Sequence, residues 1–392
     1  MKNSFALAVE SSTASFISKK NLILGDATAC VFENLVGKNT AILCFASGWY
    51  EVGFSLKAKL LKNNAEHFCF TLEEEFGFEQ IATKLLNSIC KIDNLVVIGN
   101  ENLALFALKY SALRSLKVLY VPQDFCFSEY FTNLLRCDCN HLLVIDDKLL
   151  AKCGRNKLAD GLRGVFAKRI IIAEMYANEL IAGLLYNKQA ENLINEGIKN
   201  VNLYLKNRKI EYLVTAILLS SVGEVLSGSA NVCVSAGKLL EKMQNFSLKG
   251  EREYLLYKMV LRMYNLYFSN DTSFTLGLPG VAVEEQEVNE LLGEEAFNMS
   301  YLPDFFNDIE KMQEIKEGIL KEGKFLPVVK QLLASIEDEN ALLKNEYGGR
   351  KYSVEHYSAK QRAKALLLAP YILNKPCAYS LLFASGITQY FK

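Results

Sequence analysis

The feature that most constrains this chain is a change of rhythm near residue 157. Up to about residue 150, short β-branched apolar runs alternate with longer amphipathic stretches. The runs Leu22–Leu24, Ala41–Ala46, His67–Thr71, Leu95–Ile98, Lys117–Val121 and His141–Ile145 read as strands, with helices predicted at Glu51–Lys62, Phe78–Cys90 and Leu103–Leu113 between them. Strands and helices alternating at this spacing form βαβ units, and so a mainly parallel, Rossmann-like sheet. Ligands on such sheets lie beyond the carboxyl ends of the strands, which directs attention to the turns after Ile98 and Val121.

From Lys157 onward only helical periodicity is left. Helices are predicted at Ala159–Tyr186, Ile210–Leu226, Val232–Met243, Glu251–Ser269, Phe305–Gly318, Leu326–Ser335 and Ala359–Leu373, with turns at Gly228, Gly250, Gly277–Gly280 and Gly348–Gly349. The expected organisation is an α/β nucleotide-binding-type domain over residues 1–153 and an all-α helical bundle over 154–392. No internal repeat is visible, and the acidic stretches Gln286–Glu295 and Glu337–Glu339 read as solvated faces.

Composition excludes several classes. Lys plus Arg and Asp plus Glu number 44 each, so there is no broad positive field of the kind that draws nucleic acid or an anionic membrane, and any charged ligand needs a local cluster. The ten Cys form no CxxC pair; Cys137 and Cys139 are the closest two, and all read as reduced thiols. The Ser-rich stretch Met1–Lys20 lacks the apolar core of a secretory signal, and no apolar run reaches the length of a membrane span. The cytoplasm is the expected compartment. Histidine is scarce, with only His67, His141 and His356, whereas a catalytic zinc or iron site usually takes two or three imidazoles.

Several stretches, in order, resemble one family. His141–Asp147 leading to Leu158–Leu162 is similar to a "D-L-V-x-V-D … A-G-x-x-D" passage. Ser227–Ala230 through Ser235–Lys238 is similar to "G-S-S-R-P-A-S-G-A-E-H", and Lys249–Gly250–Glu251 stands where "H-G-E" opens a long helix. Ala369–Ile372 to Gly386 looks like the closing helix, with Leu373 and Lys375 in place of an arginine pair. Together these resemble the sn-glycerol-1-phosphate dehydrogenase branch of the dehydroquinate synthase-like, or iron-containing alcohol dehydrogenase, superfamily. The resemblance runs from about Asn21 to Gly386. It implies a dehydroquinate synthase-like fold, NAD or NADP as cofactor, and reduction of a small phosphorylated ketone by hydride transfer. The family's habit also suggests a homodimer.

In that family one Asp and two His hold Zn²⁺ or Fe²⁺, which polarises the substrate oxygen. The matching positions here are Asp160, Lys238 and Lys249. A lysine ammonium has no lone pair for a metal, so zinc or iron is not expected. One reading makes these three a catalytic set in which two ammonium groups take the place of the cation, hold a phosphate or polarise an oxygen. The plainer reading makes Lys238 and Lys242 an exposed i,i+4 pair, Lys249 a loop lysine and Asp160 a carboxylate at a helix start.

The family cradles the pyrophosphate of its cofactor in a "G-G-G" turn, followed by an Asp and a "K-Y" pair. Here the turn reads Gly99–Asn100–Glu101–Asn102, Phe106 stands at the Asp position, and Lys109–Tyr110 matches the pair. The next loop, Val121–Ser128, places Gln123 and Ser128 where the family contacts cofactor and substrate. Gly99, Asn100, Asn102, Gln123 and Ser128 are therefore the candidate cofactor residues, while Glu101 would repel a pyrophosphate unless it turns away. The alternative is a loop that no longer holds a dinucleotide. Trp49, in Gly48–Trp49–Tyr50 at a strand end, is placed to stack on a base or simply to pack, and His356 is either a general acid or a surface residue.

Three readings follow. The first is a divergent member of the superfamily that binds a small anionic ligand or nucleotide in its interdomain cleft without metal-dependent hydride transfer. The second is an active NAD(P)-dependent oxidoreductase on a small phosphorylated alcohol or ketone, or a dehydroquinate synthase-like lyase, with Asp160, Lys238 and Lys249 as its catalytic set. The third is an ordinary metal-dependent dehydrogenase whose ligands lie elsewhere. It would need His67, His141 or His356.

Overall fold

The computed structural model describes residues 21–37, 39–73, 78–136, 141–243, 248–269, 309–347, 357–373 and 375–384. Cys137, Cys139, the Gly277–Gly280 turn, the Gln286–Glu295 stretch, Gly348–Gly349, His356 and Gly386 lie outside these residues. By contacts the chain forms two compact units, one made of Met1–Gly161 with Asn200–Ser221 and the other of Leu162–Lys199 with Val222–Lys392.

The first unit is built on β1 (Leu22–Leu24), α1 (Ala27–Glu33), β2 (Asn39–Phe45), α2 (Phe54–Lys62), β3 (Glu66–Leu72), α3 (Phe78–Asn87), β4 (Asn94–Gly99), α4 (Glu101–Ala112), β5 (Lys117–Pro122), α5 (Ser128–Arg136), β6 (Leu142–Ile145) and α6 (Asp147–Leu150). The six strands form one parallel sheet in the order β1-β6-β5-β4-β2-β3. Strands β4 and β6 are buried along their whole length, as their unbroken apolar runs demand in a sheet covered on both faces. On one face Ile42, Cys44, Val96, Ile98, Leu119, Val121, Leu142 and Val144 form a core with Val31 of α1 and Leu56 and Leu60 of α2. The expected fold class, a parallel α/β sheet followed by helices, is the one found.

Strand order decides where a crevice opens. After β2 the chain steps outward to β3, then crosses to the other side of β2 for β4. The connections leaving β2 and β4 therefore diverge, and the space above their carboxyl ends is the switch point at which such sheets receive ligands. The chain leaves β2 through Ala46–Gly48 and a single π-helical turn, Trp49–Gly53.

Both histidines of the sheet sit at the opposite, amino ends of their strands. The His141 Nδ1 accepts the Val118 N–H at 3.0 Å while its Nε2 lies 3.3 Å from the Ser111 hydroxyl. The His67 Nδ1 is 2.9 Å from the Ala65 carbonyl. Burial lowers the pKa of His141. Each thus bonds locally, away from the switch point.

The helices after the sheet are α7 (Arg155–Ala167), α8 (Ile170–Ala182), α9 (Lys188–Asn207), α10 (Ile210–Ser227), α11 (Val232–Met243), α12 (Lys249–Ser269), α13 (Ile309–Glu322), α14 (Phe325–Tyr347), α15 (Ala359–Leu368) and α16 (Ala378–Ala384). The single helix expected over Ala159–Tyr186 is two. It breaks at Lys168 and Arg169, which are drawn to different helices: the Lys168 Nζ pairs with Glu224 at 3.0 Å, and Arg169 pairs with Glu339 and donates to Ser335 at 2.8 Å. Helix α8 then stops at Gly183, whose φ of 64° is the left-handed conformation glycine adopts most readily. Helix α9 was not anticipated, although Ala190, Leu193, Ile194, Val201 and Tyr204 supply a buried stripe at helical spacing. Helix α10 is long and apolar enough to cross a membrane, with 67% of the relevant window buried inside the protein.

Candidate functional site

The turn at the end of β4 carries the first candidate cofactor residues. Gly99 is a glycine because of a neighbour: a Cβ there would lie 3.0 Å from the Phe45 ring, at the end of the adjacent strand β2. Phe45 belongs to a row of aromatic contacts running through Phe78 and Phe106 to Tyr110, with successive ring centroids 6.1, 5.9 and 6.1 Å apart. The Asn100 side chain accepts the Leu103 N–H at 3.1 Å and so caps α4. Asn102 is exposed on the first turn of that helix.

Glu101 turns away from the loop. Its carboxylate is 2% exposed and accepts the backbone N–H groups of Glu129 and Tyr130, at 2.6 and 2.9 Å. These belong to the first turn of α5, where unsatisfied donors and the helix dipole favour an anion. The protein's own carboxylate therefore fills the anion position at that helix end. Ser128, the first residue of α5, is half-buried beside it.

Beneath these strand ends lies an acidic cluster that sequence reading did not find. Asp124 is buried and caps its own turn by accepting the Cys126 N–H at 3.0 Å. The Cys126 thiol donates to the Asp160 carboxylate at 2.8 Å. Burial pushes the Asp124 carboxyl up to about 7; nearby Lys157 opposes this, and Glu101 and Asp160 add to it. Burial, Asp160 and Asp124 together raise the Cys126 thiol well above its ordinary range, so it is a protonated donor rather than a nucleophile. Gly161 completes the arrangement: a Cβ there would stand 2.6 Å from the Cβ of Phe125, so glycine lets α7 cross this loop. The only sequence signal for the cluster was the Asp124 and Cys126 spacing, and its partners come from residues 101 and 160.

At the switch point the Gln123 side chain is held from both sides, its Oε1 accepting from the Ser47 hydroxyl at 3.3 Å and its Nε2 donating to Glu51 at 2.9 Å. Gly48 makes room for it, since a Cβ would lie 2.9 Å from Gln123 Oε1 and 2.8 Å from the Ile98 carbonyl. Ser47 and Glu51 are exposed and form with Gln123 one hydrogen-bonded polar group at this strand end. Trp49 packs into the α1–α2 side of the sheet core, edge-on to Phe54 at 6.5 Å, with Lys57 5.7 Å from its ring centre.

The three residues at the metal positions fall in different units, Asp160 in the first and Lys238 and Lys249 in the second. Lys238 is exposed on α11. Lys249 opens α12, and its ammonium lies 4.0 Å from the buried Glu253 carboxylate one turn on. Among the described residues, no group of three or more His, Cys, Asp and Glu side chains is placed to hold a metal ion. At the family's "V-D" position, Asp146 ties two helix starts together, accepting from Ala27 at 2.9 Å and from Lys148 and Leu149 at 3.0 and 3.2 Å. All eight described cysteines are free thiols.

No protein-family model matches the chain, and no curated protein matches it by sequence. Solved structures do match. A mutant of an archaeal halo-thermophilic Red Sea brine pool alcohol dehydrogenase superposes with a TM-score of 0.61 at 10% identity, over 96% of this chain and 98% of that one. An iron-containing alcohol dehydrogenase from Corynebacterium glutamicum gives 0.52 at 12% identity, over 95% and 97%. Sulfoacetaldehyde reductase from Bifidobacterium kashiwanohense, solved in complex with NAD⁺, gives 0.53 at 11% identity, over 96% and 98%. At these identities the likeness concerns the fold, and the fold of this chain is that of the iron-containing alcohol dehydrogenases.

Proposed function

We propose that this chain is a divergent, glycerol-1-phosphate dehydrogenase-like protein that keeps the dehydrogenase fold to bind a small anionic ligand or nucleotide, without metal-dependent hydride transfer. One observation carries this reading: the groups at the expected cofactor and metal positions are already engaged within the protein. Glu101 fills the α5 N-terminus that a ligand anion would otherwise use, and the Phe45 ring crowds Gly99, 3.0 Å from where a Cβ would stand. The donor set does not fit a divalent metal either, because Asp160 accepts the Cys126 thiol and its companion positions carry ammonium groups.

The alternative, an active NAD(P)-dependent oxidoreductase on a small phosphorylated alcohol or ketone, draws support from the open polar group Ser47–Gln123–Glu51 at the switch point. Zinc or iron assays on protein purified without a His tag, with thermal-shift titrations by NAD⁺, NADPH and sn-glycerol 1-phosphate, separate the readings. The proposal expects substoichiometric metal, a rise in Tm with at least one of these anionic ligands, and no turnover. Near-stoichiometric metal with NAD⁺-dependent oxidation of glycerol 1-phosphate would overturn it.

A further inference from the structure

The second unit carries two positive charges, Lys258 and Arg262, that have no ion-pair partner among the described residues. Helix α12 carries Tyr254, Lys258 and Arg262 at i, i+4 and i+8, which places them on one face. The Lys258 ammonium stands 4.9 Å from the centre of the Tyr254 ring. That ring is itself fixed, since the Tyr254 hydroxyl donates to Glu339 at 3.0 Å and Glu339 is held in turn by Arg169 and Ser335. Lys258 is therefore seated on an aromatic platform rather than trailing into water.

Its charge is poorly compensated. Among the described residues neither Lys258 nor Arg262 forms an ion pair with a carboxylate. Like charges four apart on a helix repel. A third cation comes from α7, whose Gly164 touches α12 at Gly250, with a Cβ at 164 reaching 4.0 Å from the Gly250 Cα. The residue before it, Arg163, is buried and acts on Lys258. Burial, Arg262 and Arg163 hold the Lys258 ammonium below its usual pKa, and Glu339 and Glu251 only partly offset them.

We infer that Lys258 and Arg262, backed by Arg163, form a binding site for a phosphoryl group. A tetrahedral dianion relieves the repulsion between the two α12 cations, with the guanidinium fork and the ammonium supplying charge-assisted donors. This deepens the function proposed above, because it assigns the anionic part of that ligand to a place in the second unit outside the Asp160, Lys238 and Lys249 positions.

The test is a thermal-shift and calorimetric titration of the full chain with inorganic phosphate and then with glycerol 1-phosphate at constant ionic strength, on wild type, Lys258→Met, Arg262→Gln and Lys258→Arg. The expected result is a Tm rise in wild type, at least tenfold weaker binding in the first two variants, and retention in Lys258→Arg. Tighter binding of the ester than of inorganic phosphate identifies a phosphorylated metabolite as the ligand, and equal binding identifies free phosphate. If wild type and the Met and Gln variants bind phosphate equally, this site is wrong although the protein binds anions. A response to NAD⁺ without one to either phosphate likewise removes the site and keeps the broader reading. No response to any of them removes both.

Discussion

The carboxyl ends of the first unit's strands and the α12 face of the second unit handle charge in opposite ways. Around β4 and β5 three buried acids are each matched from within: Glu101 by the α5 backbone, Asp124 by its own turn, Asp160 by a thiol. On α12 the cations Lys258 and Arg262 are half-buried and exposed, form no ion pair with a described carboxylate, and Glu339 and Glu251 only partly offset the charges around Lys258. Internal matching supports stability and closes a site to outside anions. Incomplete matching leaves electrostatic free energy that a ligand can release. The difference teaches that one chain can match its buried acids completely from within while leaving a pair of helix cations only partly matched.

The largest effect expected from this contrast is at Glu101. Glu101→Ala strips two helix-end donors of their acceptor and should lower unfolding free energy by about 2 to 4 kcal/mol in urea denaturation. Glu101→Gln, which keeps a carbonyl acceptor, should lose roughly half as much. A loss below about 1 kcal/mol in the alanine variant would break the comparison, since α5 would then not depend on the carboxylate.

Next comes pH. Asp124 and the fully buried Glu174 of α8 are both raised to about 7 by burial. Below their ordinary pKa, native and unfolded states both hold the proton and nothing is lost. Above it the unfolded state releases the proton while the native state keeps it, so stability falls as pH rises and levels off beyond about 7. Between pH 5 and pH 8 each group should contribute a decline on the order of 2 kcal/mol. Asp124→Asn and Glu174→Gln should each flatten their part of the profile; unchanged slopes in both variants would show that neither carboxyl is held protonated.

A smaller effect is expected at Gly99→Ala. The added methyl meets the Phe45 ring and should cost roughly 1 to 2 kcal/mol, with Phe45→Leu restoring part of it. No rescue would mean that the glycine serves the turn rather than the ring. The smallest effect belongs to Arg262→Gln, whose exposed side chain should change stability by less than about 0.5 kcal/mol in the absence of phosphate. A larger loss would place Arg262 among the internally matched charges and sharpen the contrast in the other direction.

How much of this was legible depended on how local each cause was. The strands were, because a buried parallel strand is an unbroken apolar run, and the expected Leu95–Ile98 and Lys117–Val121 fall within a residue of the observed ends of β4 and β5. Their order was not, because adjacency depends on which crossover the chain takes. Helix α9 was hidden by six asparagines between Asn187 and Asn207, which read as turn formers although the apolar stripe beneath them kept helical spacing. The break at Lys168 and Arg169 follows from Glu224 and Glu339, far along the chain. Glu101 could be flagged as unsuited to a pyrophosphate, but the helix end that receives it begins at Ser128. The Lys258–Arg262 pair is legible as an i,i+4 repeat, but only the structure shows that neither cation forms an ion pair with a described carboxylate.

The division of the chain has a consequence for how the protein is made. The sheet unit takes in Asn200–Ser221 only after Leu162–Lys199 has been laid into the other unit. In chain order, and so in order of synthesis, all six strands precede the Asn200–Ser221 segment that groups with them. Neither unit is a contiguous stretch of sequence, so a fragment cut after Gly161 would leave the sheet without the Asn200–Ser221 segment that groups with it.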